Sequence, residues 1–276
     1  MSEAVAVFHG AFGRVCLYSM DRTMVSHAHR EGHLLFHVQG DPGEVYVDGC
    51  AIPLGPDQAV AVNPWQAHYY SQPVPGGQTL VLALYIRPAW FRNASRSRVS
   101  ALRFGRAAIE VSDVLRRRLI DMSAMLDHGQ EDPAINDWML TLTEYCFEQS
   151  WRGSDAVGGL ASVHDFRLRK AIQFLEQRVC EPVELDVVAR EAGLSRPHFY
   201  KLFRQQVGVT PNIYLNSLRM ERAIELLTGT NEAVAEIGLD LGFSSQASFS
   251  RFFIANGVVP PSTYRRSAQI AYSNEP

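Results

Sequence analysis

ELDVVAREAGLSRPHFYKLFRQQVG, residues 184 to 208, decides how the C-terminal part of this chain folds. Val188, Ala189 and Ala192 make a small apolar face at helical spacing, Gly193 follows where a tight turn would crowd a side chain, and Ser195 is placed to cap a second helix. Phe199, Leu202 and Phe203 then anchor that second helix and leave Arg196, Pro197, Tyr200, Lys201 and Arg204 facing outward. The spacing predicts helix, turn, helix.

The same layout recurs in AVAEIGLDLGFSSQASFSRFF, residues 233 to 253. Ile237 and Leu241 face inward, Gly242 takes the turn, Ser244 or Ser245 caps, Phe249 and Phe252 point in, and Gln246, Ala247, Ser250 and Arg251 point out. Between the two units, TPNIYLNSLRMERAIELLTGT opens on Thr210 and Pro211 and predicts one long helix to Leu227, a rigid spacer. Cations and hydrogen-bonding groups on an exposed helical stripe suit the major groove of double-stranded DNA. Taken singly, each unit also fits a packed helix pair with a solvated basic face.

Working outward, the chain has 276 residues, enough for two domains each with its own core. Net charge is -3, with 13 basic against 17 acidic residues in 1 to 163 and 13 against 12 in 164 to 276, so any nucleic-acid face is a local patch. Cys16, Cys50, Cys146 and Cys180 form no CxxC pair, so neither a thiolate zinc site nor a disulfide framework is indicated. No apolar run approaches the ~20 residues that span a bilayer, and MSEAVAVFHG lacks the pattern of a signal peptide, so a cytoplasmic protein without membrane contact is expected.

Residues 1 to 102 carry runs such as GRVCLYS, HLLFHVQG, GEVYVDG, QAVAVNP and TLVLALYI between Gly and Pro, which predict an antiparallel barrel or sandwich. In 103 to 151 the period becomes helical. Val111, Leu115, Leu119, Met122 and Leu126 form one stripe opposite Arg116, Arg117, Arg118 and Asp121; a second helix starts at Asp132 and Pro133 with Ile135, Met139, Leu142 and Cys146. This hairpin either packs on the barrel or pairs two chains into a homodimer. RGSDAVGGLAS, residues 152 to 162, reads as a linker before a helical domain at 163 to 276. The class is α+β: an N-terminal β-barrel with a helical hairpin, then an all-α domain with two helix-turn-helix units.

HAHREGHLLF, residues 27 to 36, places His27 and His29 two apart, on one face of a strand and in chelating geometry. His33 and His68 are candidates to complete a site, with Glu31 an imperfectly spaced substitute, and such imidazoles suit zinc, iron, copper or nickel. Phe36, Trp65, Tyr69 and Tyr70 either wall a pocket for a small-molecule effector or fill the barrel. A sensing pocket is the expected role of the stretch.

The pattern AREAGLS, then LF, then LR, then GF, then FSRFF and the closing GVVPPSTYRR resembles the signature of the AraC/XylS family of transcriptional regulators over roughly residues 165 to 266. The resemblance implies that Arg196, Pro197, Tyr200, Lys201, Arg204, Ser245, Gln246, Ala247, Ser250 and Arg251 read bases and phosphates in successive major-groove segments. It also implies an RNA polymerase partner, and activation as the family's commonest action. Gly238 stands where that family usually has alanine, and Ile254-Ala255 replaces a commonly basic pair. GPD at 55 to 57 with NPWQAH at 63 to 68 resembles the second motif of the cupin barrel, which implies that His68 converges with His27 and His29. Barrels of this family commonly hold an organic ligand instead of a metal. The competing class is a cupin metalloenzyme, dioxygenase-like, fused to a DNA-binding domain; attachment to two DNA readers favours a sensor, and catalysis is not expected.

Overall fold

The structure, a computed structural model, describes residues 2–95, 101–128, 134–152, 163–257 and 259–270. Its N-terminal part holds β1 (Glu3–Gly10), β2 (Gly13–Met20), β3 (Gly32–Gly40), β4 (Gly43–Val47), β5 (Cys50–Leu54), β6 (Gln58–Val62), β7 (His68–Ser71), β8 (Thr79–Ile86), α1 (Pro88–Ala94), β9 (Ala108–Glu110), α2 (Asp113–Asp127) and α3 (Ile135–Trp151). A seven-stranded sheet, β10-β1-β2-β8-β3-β6-β9, and a three-stranded sheet, β5-β4-β7, close on a common core. The pairings are antiparallel except one: the short β10 (Ala268–Ile270) returns from the far end of the chain and runs parallel to β1.

Alternation along β3 and β8 explains why these strands read as unbroken apolar runs. Leu35, Val81, Ala83 and Tyr85 meet the small sheet, whereas Leu34, Phe36, Leu82, Leu84 and Ile86 meet the helical hairpin. Both faces of the large sheet are therefore covered. Leu119, Met122 and Leu126 of α2 and Ile135, Met139, Leu142 and Cys146 of α3 are buried in this second layer, so the predicted hairpin stripe is core and not an open face. Val111 precedes the helix, which begins after Ser112, whose Oγ accepts from the Leu115 amide at 3.3 Å. The expected start at Asp132 and Pro133 lies outside the described residues, as does the linker beyond Arg152. Strand pairing also runs past residue 102, because β9 covers the otherwise open edge of β6.

The C-terminal helices are α4 (Phe166–Gln177), α5 (Leu185–Glu191), α6 (Arg196–Val207), α7 (Pro211–Gly229), α8 (Val234–Asp240), α9 (Gln246–Gly257) and α10 (Pro261–Ser267). Gly193 and Gly242 take the inter-helix turns at φ of 68° and 79°, a left-handed conformation that L side chains avoid. Phe199 and Phe203 lock the first pair, and Phe249 and Phe253 lock the second; all four are fully buried. Phe252 is half-buried and packs on Phe243.

Two separate cores were expected, and the structure corrects this. One cluster runs without a break from the space between the sheets (Val45, Val81, Tyr85) into the second helix pair (Ile237, Phe249, Tyr264), since Tyr264 and α7 press against the sheet side of the molecule. Hydrogen bonds reinforce the junction. Ser217 Oγ on α7 donates to the Ala28 carbonyl, Ser267 Oγ donates to the Ala4 carbonyl at 2.8 Å, and Tyr264 Oη lies 3.1 Å from His9 Nε2.

Candidate nucleic-acid interface and histidine cluster

On α6, Arg196, Pro197, Lys201 and Arg204 are exposed, and Tyr200 is half-buried, held edge-on against Phe199 at 5.9 Å. Arg196 pairs with Asp186 at 3.2 Å, a contact between two largely exposed side chains that water and salt weaken. On α9, Gln246, Ala247 and Arg251 are exposed and Ser250 is half-buried; Ser245 caps the helix, its Oγ accepting from the Ser248 amide at 3.2 Å. The first unit presents three cations on its outer stripe and the second presents one. Between them α7 has 19 residues, about 28 Å of helix at 1.5 Å per residue.

The histidines converge, though not on a strand. His27 and His29 lie in an extended segment before β3, tied by paired backbone bonds between His27 and His68 at 3.0 and 2.9 Å. His33 is on β3 and His68 opens β7. Ring centroids stand 4.4 Å apart for His27 and His68, 5.0 Å for His29 and His68, and 6.1 Å for His27 and His29. One ligand atom from each of these three lies within 4.8 Å of the other two. His33 sits beside the trio, 5.0 Å from His29 and 5.3 Å from His68, with its ring against Tyr85 at 4.2 Å.

Each imidazole is oriented the same way. Nδ1 lies against a backbone carbonyl, at 3.0 Å from Val25 for His27, 2.9 Å from Glu31 for His29, 3.0 Å from Leu84 for His33 and 2.9 Å from Gln66 for His68. A carbonyl only accepts, so Nδ1 carries the proton and Nε2 keeps a lone pair. Nε2 of His29 and of His68 is buried without a partner among the described residues. Burial, followed by repulsion from neighbouring imidazoles, holds His29 and His68 well below the usual imidazole range; His33 and His27 are also lowered, chiefly by burial. Neutral rings with free Nε2 atoms are metal-ligand chemistry, and carbonyl-bound Nδ1–H is the support such ligands ordinarily have.

The other expected residues part company. Phe36 lies on the opposite face of β3, in the hairpin core, because it alternates with His33 and Leu35; it lines no part of the histidine site. Trp65, at φ 62°, turns its ring outward onto Tyr214 of α7, with centroids 4.6 Å apart. Tyr69 stacks on Tyr46 at 4.6 Å and faces a cleft of about 350 Å³ that Arg204 and Thr210 also line. Tyr70 does point inward, and its hydroxyl donates to Thr79 Oγ1 at 2.8 Å. Glu31 stays beside His29, with Oε2 3.6 Å from its Nδ1, while Oε1 accepts from Arg14 at 2.8 Å and the Arg14 guanidinium lies 3.7 Å over the Tyr85 ring. Arg14, Ser217 and Glu221 were not anticipated: strand pairing of β2 with β8 brings Arg14 to Tyr85 and Glu31, domain docking brings Ser217 and Glu221, and no local pattern signals either.

Paired helix-turn-helix units on a spacer, docked to a two-sheet domain with an inward histidine cluster, define a two-domain protein of the helix-turn-helix class. Residues 188–267 match the family model described as a helix-turn-helix domain. The chain is 30% identical over 102 residues to the regulatory protein SoxS of Salmonella typhimurium, covering 37% of this chain and 95% of SoxS. It is 31% identical over 137 residues to the HTH-type transcriptional activator RhaS of Enterobacter sp., covering 50% of this chain and 48% of RhaS. The chain belongs to the AraC family. It spans between about a quarter and a half of the length of the larger curated relatives it matches. ToxT from Vibrio cholerae shares the fold at a TM-score of 0.56 and 12% identity, over 92% of this chain and 96% of that one. No helix among the described residues is long and apolar enough to cross a membrane.

Proposed function

We propose that this protein is a sequence-specific DNA-binding transcriptional regulator, an activator, whose paired readers are controlled by a ligand of the N-terminal domain. The observation that carries this is the repetition of one helix-turn-helix build on either side of α7, each with an exposed polar stripe. A spacer of about 28 Å is commensurate with the ~34 Å between major-groove segments one turn apart. Arg196, Pro197, Tyr200, Lys201 and Arg204 read one segment, and Ser245, Gln246, Ala247, Ser250 and Arg251 read the next. A regulator of this kind works in the cytoplasm with DNA and RNA polymerase as partners, and catalysis plays no part in the reading.

The ligand site is the histidine cluster and the space around it. Its donor set favours a divalent transition metal, zinc, iron, copper or nickel, on His27, His29 and His68 with His33 alongside; the orphaned Nε2 atoms support this. The organic alternative draws support from ToxT, whose crystal structure has been solved with an unsaturated fatty acid bound. For a homodimer, the exposed side of the hairpin is the available surface: Val114 and Ile120 are exposed beside a groove of about 150 Å³ lined by Leu115, Trp138 and Tyr145.

Binding sites selected from random duplexes by the full-length protein test the reading. Arg251→Ala or Tyr200→Ala should cost on the order of 1–3 kcal/mol on the selected site and far less on random DNA if each contacts a base edge. Equal losses on both DNAs, or no selected sequence at all, would defeat it.

A further inference from the structure

We propose that Ser217, Trp65 and Arg30 are positioning residues that tie the histidine segment to the first reader and not to the second, so that the N-terminal site tunes one half of the DNA site. This deepens the regulator reading and rests on it for the two readers; it needs no metal.

The extended segment before β3 has two faces, because successive side chains leave it on opposite sides. His27 and His29 turn to His68, whereas Ala28 and Arg30 turn to the helices. Ala28 is 3% exposed and belongs to the core of the first helix-turn-helix unit, with Phe203, Tyr214 and Leu218. Its carbonyl accepts from Ser217 Oγ on α7, and Arg30 pairs with Glu176 on α4 at 2.8 Å and with Glu221 on α7 at 3.4 Å. The Trp65 amide donates to the His29 carbonyl at 2.9 Å while its ring stacks on Tyr214. The Trp65 carbonyl lies at the corner between α6 and α7, 3.4 Å from where a Cβ on Gly208 would stand. Trp65 holds a φ of 62°, a costly conformation for a bulky side chain that persists only where the surroundings impose it. The Arg30 pairs are half-exposed and weakened by water, so the buried Ser217 bond and the Trp65 stack are the stiff parts of the tie.

The asymmetry lies in α7. Tyr214, Leu215 and Leu218 of its first half pack in the first unit, and Ala223, Ile224 and Leu227 of its second half pack in the second. Ser217 and Tyr214, which the histidine segment and Trp65 grip, are in the first half. The second unit docks elsewhere, on β1: Tyr264 against His9, Ser267 against Ala4, and β10 along the strand edge. That strand carries none of the four clustered histidines and is itself paired with β2 from Glu3 to Gly10. Asn256, near the end of α9, borders the small cavity beside His29, yet among the described residues no hydrogen bond or ion pair joins 26–31 or 63–67 to α8 or α9. Whatever draws His27 and His29 toward His68 therefore pulls on backbone whose reverse side holds the first reader.

Coupling between two sites is reciprocal, so it can be read from the DNA end. The experiment is amide hydrogen exchange of the full-length protein with its selected duplex and with versions in which either half is scrambled, the α6 half being the one sensitive to Lys201→Ala. A duplex that keeps the α6 half should slow exchange at 24–31 and 63–68 by a factor on the order of 5 or more, and one that keeps only the α9 half should leave these segments unchanged. In Ser217→Ala combined with Trp65→Ala the response should vanish although DNA still binds, and Trp65→Phe, which keeps a ring on Tyr214, should retain it. Zinc chloride, added as a probe of the histidines, should alter affinity for the α6 half alone. Equal responses to the two half-scrambled duplexes, no response to either, or a response that survives the double variant would each overturn the proposal. The contrast between duplexes in the wild-type protein decides it even where the double variant fails to fold. Absence of zinc binding would strike the metal reading and leave the duplex result to decide this one. A protein that selects no sequence loses the regulator reading and this one together, whereas equal half-site responses with selection intact defeat this one only.

Discussion

Replacing Gly238 by alanine tests how tightly the second reader is built. A glycine inside a helix costs about 1 kcal/mol relative to alanine, so propensity alone would make Gly238→Ala stabilising by that amount. The surroundings argue otherwise. A Cβ at position 238 of α8 would stand 2.9 Å from Phe249 Cβ and 3.2 Å from its Cγ and Cδ1. Phe249 Cβ is fixed to the α9 backbone, and its ring is hemmed in by Phe243 at 5.4 Å and Phe253 at 5.9 Å. The added methyl therefore has to push α9 away from α8. Overpacking of this kind costs typically about 1–3 kcal/mol. Set against the propensity gain, the expected net is a loss of up to about 2 kcal/mol, or a few degrees of Tm at about 2–4 °C per kcal/mol for a chain this long. Because α9 carries Gln246 and Arg251, affinity should fall more on the half-site that α9 contacts than on the other, measured by titrating the variant against duplexes with either half scrambled. A Tm raised by the full propensity gain, with affinities unchanged, would show that the two helices have slack and that the close approach is no constraint.

Two further outcomes follow from the packing and the histidines. Val114→Glu with Ile120→Glu should leave the fold intact and give a monomer in sedimentation if the outer side of α2 pairs chains, whereas Leu119→Glu should unfold the N-terminal domain because Leu119 is core; a folded Leu119→Glu protein would contradict the packing. Stability should decline as pH drops below ~6.5, where unfolded histidines protonate, because His27, His29, His33 and His68 have lowered folded-state pKa values and that of His9 is lowered to about 3 by burial and by Arg14 and Arg87. If the trio holds a metal, elemental analysis should find close to one equivalent per chain, released over the same pH fall; stability flat between pH 7 and 5 would mean the rings are not buried neutral.

The two helix-turn-helix units were legible because every signal they need is local: glycine at the turn, a cap, and aromatic anchors at helical spacing. The pairing of His27 with His29 was legible for a related reason, since they stand two apart in sequence, whereas His68 joined them only through the resemblance of residues 55 to 68 to the second cupin motif. Phe36 was misread because a strand buried on both faces loses the polar and apolar alternation that would have told its two sides apart. The hairpin posed the same difficulty, as an apolar stripe does not announce whether its partner is a sheet of the same chain or a second copy. Arg14, Ser217 and Glu221 left no trace in the sequence at all. Arg14 arrives through strand pairing with β8, and Ser217 and Glu221 only where α7 meets the sheets, across more than 180 residues of chain for Ser217 and Ala28.

The parallel pairing of β10 with β1 bears on how the protein is made. β1 receives its outer neighbour from a strand about 260 residues further along the chain, with Val7 opposite Ala268. At roughly 5–20 residues per second, translation of the intervening chain leaves the β1 edge bare for on the order of 13–50 s. During that interval the nascent sheet carries an unpaired row of backbone groups open to any extended segment nearby. Slow translation of the stretch between β1 and β10 would prolong that exposure, so aggregation during synthesis should rise with slow codons placed anywhere between the two strands.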